Sequence, residues 1–267
     1  MSIKVIYYVS GIFTFVWSDN FFYLCWMYIS AVNNLKGLIP NEVSVLFTLE
    51  NFNLFANSIT GILPRGLAGL ESLISLDFQQ NLLIGPAIPT SVTRLSTLVS
   101  YRVSNNQLGE TIPTEISRLR NLKELWAGEN NISGSIPSNI GDLRNLKTVF
   151  INDNDLEGKI PTEFGLIPLE GLVMNNNKFL DKIPSQLFNI ASLNVIRLDN
   201  NFLTGTLPVA IGQLTDLENF RVENNSLSGQ IPRSIGAMTS LGKREFFVKS
   251  ACVCKYWFRE NFLTKLI

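Results

Sequence analysis

The chain has 267 residues, 22 basic side chains against 22 acidic ones and no histidine. The missing imidazole excludes Ser-His-Asp and Cys-His catalytic units, histidine metal ligands and a histidine pH switch, leaving catalysis to carboxylates or lysine. Zero net charge with only 16% charged residues gives no footprint for nucleic acid, and this length suffices for a sizeable core.

Residues 1–32 are apolar and aromatic, but Ser18, Asp19 and Asn20 divide them into two runs. Neither run spans a bilayer, and an Asp near the centre of a span costs about 2.5–3.5 kcal/mol on insertion scales. The first run follows Lys4 and has the length of a signal-peptide core, with Ser18 as the small residue before cleavage. The same segment also reads as an anchor or as an apolar cap, since Phe22, Cys25 and Tyr28 fall roughly where a preceding repeat would place core residues.

Residues 33–241 repeat. One unit runs Leu119, Leu122, Leu125, Ala127, Asn130, Ile132, Gly134, Ile136, Pro137, and the next runs Leu143, Leu146, Val149, Ile151, Asn154, Leu156, Gly158, Ile160, Pro161, a step of 24 residues. The aligned asparagines are Asn33, Asn57, Asn81, Asn106, Asn130, Asn154, Asn177, Asn201 and Asn225, about nine units. Alternating apolar residues before each Asn predict a short strand with one buried face. No single unit can bury that face, so the copies must stack into a parallel sheet. An inward Asn donates and accepts at once, and suits the unpaired backbone groups of a tight bend. The following Gly suits a positive φ, and Ile-Pro buries one side chain and fixes φ where the chain turns onto the opposite face. Glu110 and Asp181 stand in the Gly position, one residue is inserted near Pro86, and one is missing before Leu166. Local twist is expected to vary there.

Function on such a scaffold belongs to what the period leaves free, the outward strand positions. Four residues before each Asn the column reads Asn53, Asp77, Arg102, Trp126, Phe150, Val173, Arg197, Arg221, and two before it Phe55, Gln79, Ser104, Gly128, Asn152, Asn175, Asp199, Glu223. Trp126, Phe150 and Val173 form an apolar strip that the fold does not require, flanked by Arg102, Arg197 and Arg221, with Glu124 and Glu129 beside Trp126. Exposed aromatics next to arginine are enriched at binding hot spots, which makes Arg102, Trp126, Phe150, Val173, Arg197 and Arg221 the candidate ligand contacts. Against this, single exposed aromatics are ordinary, and Arg197 has Asp199 and Glu223 to pair with.

Asn130-x-Ile132-x-Gly134-x-Ile136-Pro137 and its copies resemble the plant-type class of leucine-rich repeats. The resemblance implies an α/β-type repeat solenoid: a right-handed superhelix with a parallel concave sheet and an irregular or 3₁₀ convex side. It also implies extracellular recognition, as in ectodomains of receptor-like kinases, receptor-like proteins and wall-associated inhibitors. The expected partner is a protein or peptide ligand, with wall glycan or a co-receptor as further candidates. Membrane association is expected only through residues 1–32 or through further sequence. Scaffolding, and inhibition of a polysaccharide-degrading enzyme, are the competing functions.

Residues 242–267 leave the repeat and carry Lys243, Arg244, Lys249, Lys255, Arg259 and Lys265 among aromatics, with Cys252 and Cys254 between them. No kinase signature is present there, and the segment reads as a cap, a truncated end or a partner-binding tail. Three cysteines make no disulfide framework, and Cys-x-Cys alone is a weak metal signal. The sequons Asn131-Ile132-Ser133 and Asn224-Asn225-Ser226 make Asn131 and Asn224 candidate glycosylation sites. Repeat glycines recur with Ile-Pro and read as turns rather than as a phosphate loop. The acids Asp153, Asp199 and Glu223 lie on an open face and read as solvated. No cofactor, metal or catalytic residue is expected.

Overall fold

The computed structural model describes residues 34–238 in full, and the strands Ile3–Val9, Ile12–Ser18, Glu245–Ser250 and Val253–Trp257 by their backbone alone. Ile3–Val9 and Ile12–Ser18 pair antiparallel. The roles expected for segments 1–32 and 242–267, and the position of Asn33, fall outside the fully described residues.

The apolar period builds the concave layer directly. Phe52, Leu76, Tyr101, Leu125, Val149, Leu172, Ile196 and Phe220 are buried, each at the centre of a three-residue strand. These strands run parallel in one sheet, which Glu245–Ser250 continues in parallel. Because side chains alternate along a strand, the residues on either side of each buried centre face outward. A second set of lateral strands follows the asparagines as far as Asn177, as in Ser58–Ile62 and Asp155–Lys159. The convex side is a stack of 3₁₀ turns such as Ser138–Asp142, entered through prolines with φ between −60 and −74°. Proline has no N–H to lose and is already set for that entry. Between the layers runs one apolar core from Leu35 to Met238.

The asparagines tie one repeat to the next. Asn130 Oδ1 accepts from Leu108 N–H at 3.0 Å, while its Nδ2 donates to the carbonyl of Val103 at 3.1 Å and also reaches Ala127 and Gly128 within its own turn. Asn57, Asn81, Asn106, Asn154, Asn177, Asn201 and Asn225 each accept in the same way from a backbone N–H of the preceding repeat. The residue before each of these asparagines is left-handed, from Ala56 at φ 53° to Asn224 at the same value. Glu110 and Asp181 adopt φ 61° and 67°, the conformation that Gly134 and Gly158 take at 71° and 78°. Asp181 is further held by Lys159 at 2.7 Å, and that ammonium holds the Asp181 carboxyl below its ordinary range.

The two length changes fall differently from expectation in one case. The extra residue near Pro86 leaves the Ala87 carbonyl inside the core, where the hydroxyl of Tyr101 donates to it. Burial pushes the Tyr101 phenol up, so it remains a donor. Tyr101→Phe orphans that carbonyl and is expected to lower stability by about 1–3 kcal/mol, measured by urea unfolding. The missing residue lies after Ile167 rather than before Leu166. Ile167 takes the buried place that Leu143 holds in another repeat, whereas Leu166 is exposed. The chain then runs extended at Ile167, φ −111° and ψ 135°, where Leu143 has −79° and 67°, because the following Pro168 pushes the residue before it into the extended region.

Candidate recognition face

Strict register brings the first outward column together. Asn53, Asp77, Arg102, Trp126, Phe150, Val173, Arg197 and Arg221 are successive partners across the sheet. Trp126 and Phe150 stack with centroids 5.1 Å apart and planes 16° from parallel, and the Arg102 guanidinium lies 4.2 Å from the Trp126 centroid. Since Arg102 and Phe150 come from the strands on opposite sides, both faces of the indole are covered and an edge is presented. The indole N–H donates to Thr148 Oγ1 at 2.9 Å, so Trp126 leaves no unpaired donor. Arg102 is fixed in turn by Glu124 at 2.7 Å, whose Oε2 also accepts from Ser100, and it lies 3.8 Å from Asp77.

Val173 departs from the expected strip. It is only 9% exposed, because its short side chain sits in register between the longer Phe150 and Arg197. The apolar surface of the column is therefore Trp126 with Phe150. A side chain at Gly171 would meet the Phe150 ring at 3.2 Å, and the glycine gives that ring its room. At Gly128 the space is filled instead by the Asn152 amide, which donates to Asp153 at 2.6 Å.

Beyond Val173 the face becomes polar. Arg197 Nε stands 3.8 Å from Asp199 Oδ1, and Asp199 is nearly closed off from solvent. Burial pushes the Glu223 carboxyl above its ordinary range, and the nearby Asp199 charge adds to this against Arg221 and Arg197. Asn175, Asp199 and Glu223 belong to the second outward column and were not among the expected contacts. Their signal was that a buried-face period had no use for them. Asn131 is exposed at the start of a lateral turn, whereas the exposed Asn224 donates to Asn200 Oδ1 at 2.7 Å. Among the described residues no cluster of metal-ligating side chains occurs, and no helix is long and apolar enough to cross a membrane.

The model of the Leucine Rich Repeat family matches residues 121–143 and 192–214. "Receptor-like protein 18" of Arabidopsis thaliana is 37% identical over 78 residues, covering 29% of this chain and 9% of that protein. Among solved structures, the Arabidopsis receptor kinase HAESA, in complex with the peptide hormone IDA and the co-receptor SERK1, is 32% identical with a TM-score of 0.72, over 79% of this chain and 38% of that one. A plant ice-binding protein is 26% identical with a TM-score of 0.65, over 85% of this chain and 80% of that one. The chain thus spans well under two thirds of these receptor relatives. Repeat, fold and matches make it a leucine-rich-repeat solenoid, similar to the ectodomains of plant receptor kinases.

Proposed function

We propose that the chain is a non-catalytic recognition module of receptor-like type, placed outside the cell or at its surface, and that it binds a protein or peptide on the concave face. The observation that carries this reading is the outward column, where Arg102, Trp126 and Phe150 form a stacked array that the solenoid does not need. Aromatic and arginine side chains in a rigid setting are the usual carriers of binding energy, and the rigid sheet leaves little ordering to be done on binding. That similar folds are seen with peptide hormones, as in HAESA with IDA, supports a ligand of this class. The glycan would attach at Asn131, whose amide is exposed on the lateral side and leaves the concave face clear.

The test is panning of a random dodecapeptide phage library on the wild-type chain and on a Trp126→Ala, Phe150→Ala double variant. Enrichment on the wild type and a loss of about tenfold or more in the variant are expected. Equal enrichment on both, with circular dichroism showing both folded, overturns the reading.

A further inference from the structure

The polar end of the concave face contains side chains whose hydrogen bonding is incomplete. Among the described residues, Asn175 Oδ1, Arg197 Nε, Asp199 Oδ1 and Glu223 Oε2 are buried atoms without a hydrogen bond, and they come from three neighbouring repeats. Elsewhere among these residues only scattered atoms such as Ser91 Oγ share that state. Native proteins satisfy nearly all such atoms, so a local concentration of exceptions needs a cause. Asn175 and Asp199 are 3% and 4% exposed, which leaves their free oxygens little access to solvent. Asp199 Oδ2 accepts from Asn200 at 3.2 Å. Its Oδ1 faces Arg197 Nε at 3.8 Å, beyond hydrogen-bond reach.

The imbalance has a sign. Three of the four atoms are acceptors and one is a donor, and two of the acceptors belong to carboxylates, which have nothing to donate when ionised. What the cluster lacks is donors. Burial and the Asp199 charge both act against ionised Glu223, and a further positive group beside the two carboxylates would relieve that strain. Arg197 and Arg221 balance the charges of Asp199 and Glu223 formally, so the cluster does not repel a cation as a bare arginine pair would.

We propose that this end of the face is a subsite for a cationic donor, the ammonium of a lysine or the guanidinium of an arginine in the peptide ligand. Asp199 and Glu223 accept from it, and the side-chain carbonyl of Asn175 completes its hydrogen bonds. The proposal rests on the concave-face reading above and gives the ligand a direction. Strands lie about 4.8 Å apart, and an extended peptide advances about 3.3 Å per residue. Asp199 follows the strand Val195–Arg197, two strands beyond Phe150. A cation seated there therefore lies about three residues from the side chain that meets the edge of the aromatic array.

The experiment uses the full chain and an array of Ser/Gly nonapeptides, each with one Leu and one Lys at separations of one to six residues. Matched arrays carry Glu or norleucine in place of Lys. The Lys peptides are expected to bind best at a separation of three or four. Asp199→Asn and Glu223→Gln, near-isosteric changes checked for folding by thermal unfolding, are each expected to weaken that binding about tenfold. Equal or better binding of the Glu peptides, or unchanged Lys-peptide binding in both folded variants, overturns the subsite. If norleucine peptides bind as well as Lys peptides and lose binding in the Trp126→Ala, Phe150→Ala variant, the cation subsite falls while the concave-face reading stands. Binding of cellohexaose in place of every peptide, sensitive to Asp199→Asn, overturns both.

Discussion

Replacing Asn130 by Leu is expected to lower the unfolding free energy by about 1–3 kcal/mol, since one buried donor is orphaned and volume is nearly kept. The Leu108 N–H loses the Asn130 Oδ1, whereas the Val103 carbonyl loses the Nδ2 that crosses from the next repeat but keeps the one from Asn106. Both bonds join adjacent turns, so the damage is to the coupling between repeats, on which a solenoid depends for its cooperativity. Asn130→Asp sharpens the test. It keeps an acceptor for Leu108 N–H but sets a carboxylate against the carbonyls of Val103, Ala127 and Gly128, and is expected to be no better than Leu. Urea unfolding reads the loss, and hydrogen exchange should show opening first near residues 103–132. A loss under about 1 kcal/mol for Asn130→Leu would mean that water replaces the ladder at little cost.

Gly66→Ala should be of similar severity for an unrelated reason. A Cβ at Gly66 would lie 1.8 Å from the carbonyl oxygen of Asn41 and 2.8 Å from its carbon, both backbone of the preceding convex turn. No rotamer change relieves contact with backbone, so the turns Asn41–Val45 and Arg65–Gly69 must move apart. The Gly66 N–H bond to Asn41 Oδ1, now 2.8 Å, would stretch with them. Overpacking of this kind costs about 2–3 kcal/mol. Gly236 is the internal control, because a Cβ there meets nothing among the described residues within 4 Å. Gly236→Ala is expected to be neutral or to stabilise by about 0.4–1 kcal/mol through the unfolded chain. Equal melting temperatures for the two variants would overturn the steric account.

The repeat was legible because its chemistry is local and is copied. A period of two before each Asn, a Gly where φ turns positive and a Pro at the convex entry each act within a few residues, and together they predict the parallel sheet and the stack of 3₁₀ turns. The shift of the missing residue to the far side of Ile167 shows the limit even here. Leu166 and Ile167 are equally apolar, and only packing decides which one enters the core. The recognition face was legible as a list of outward positions, but not as a surface.

What the sequence by itself determined was which side chains face the core, which asparagines close the turns, and which residues share a column across repeats. Only the tertiary structure decided how the members of a column treat one another. It stacked Arg102, Trp126 and Phe150 so that the indole shows its edge, overshadowed Val173, and buried Asn175 and Asp199 beside acids and arginines of the next repeats. The reason is physical. Inward or outward direction follows from backbone alternation along one strand, whereas exposure depends on the size and rotamer of neighbours that lie one repeat away in the chain and only about 4.8 Å away in space.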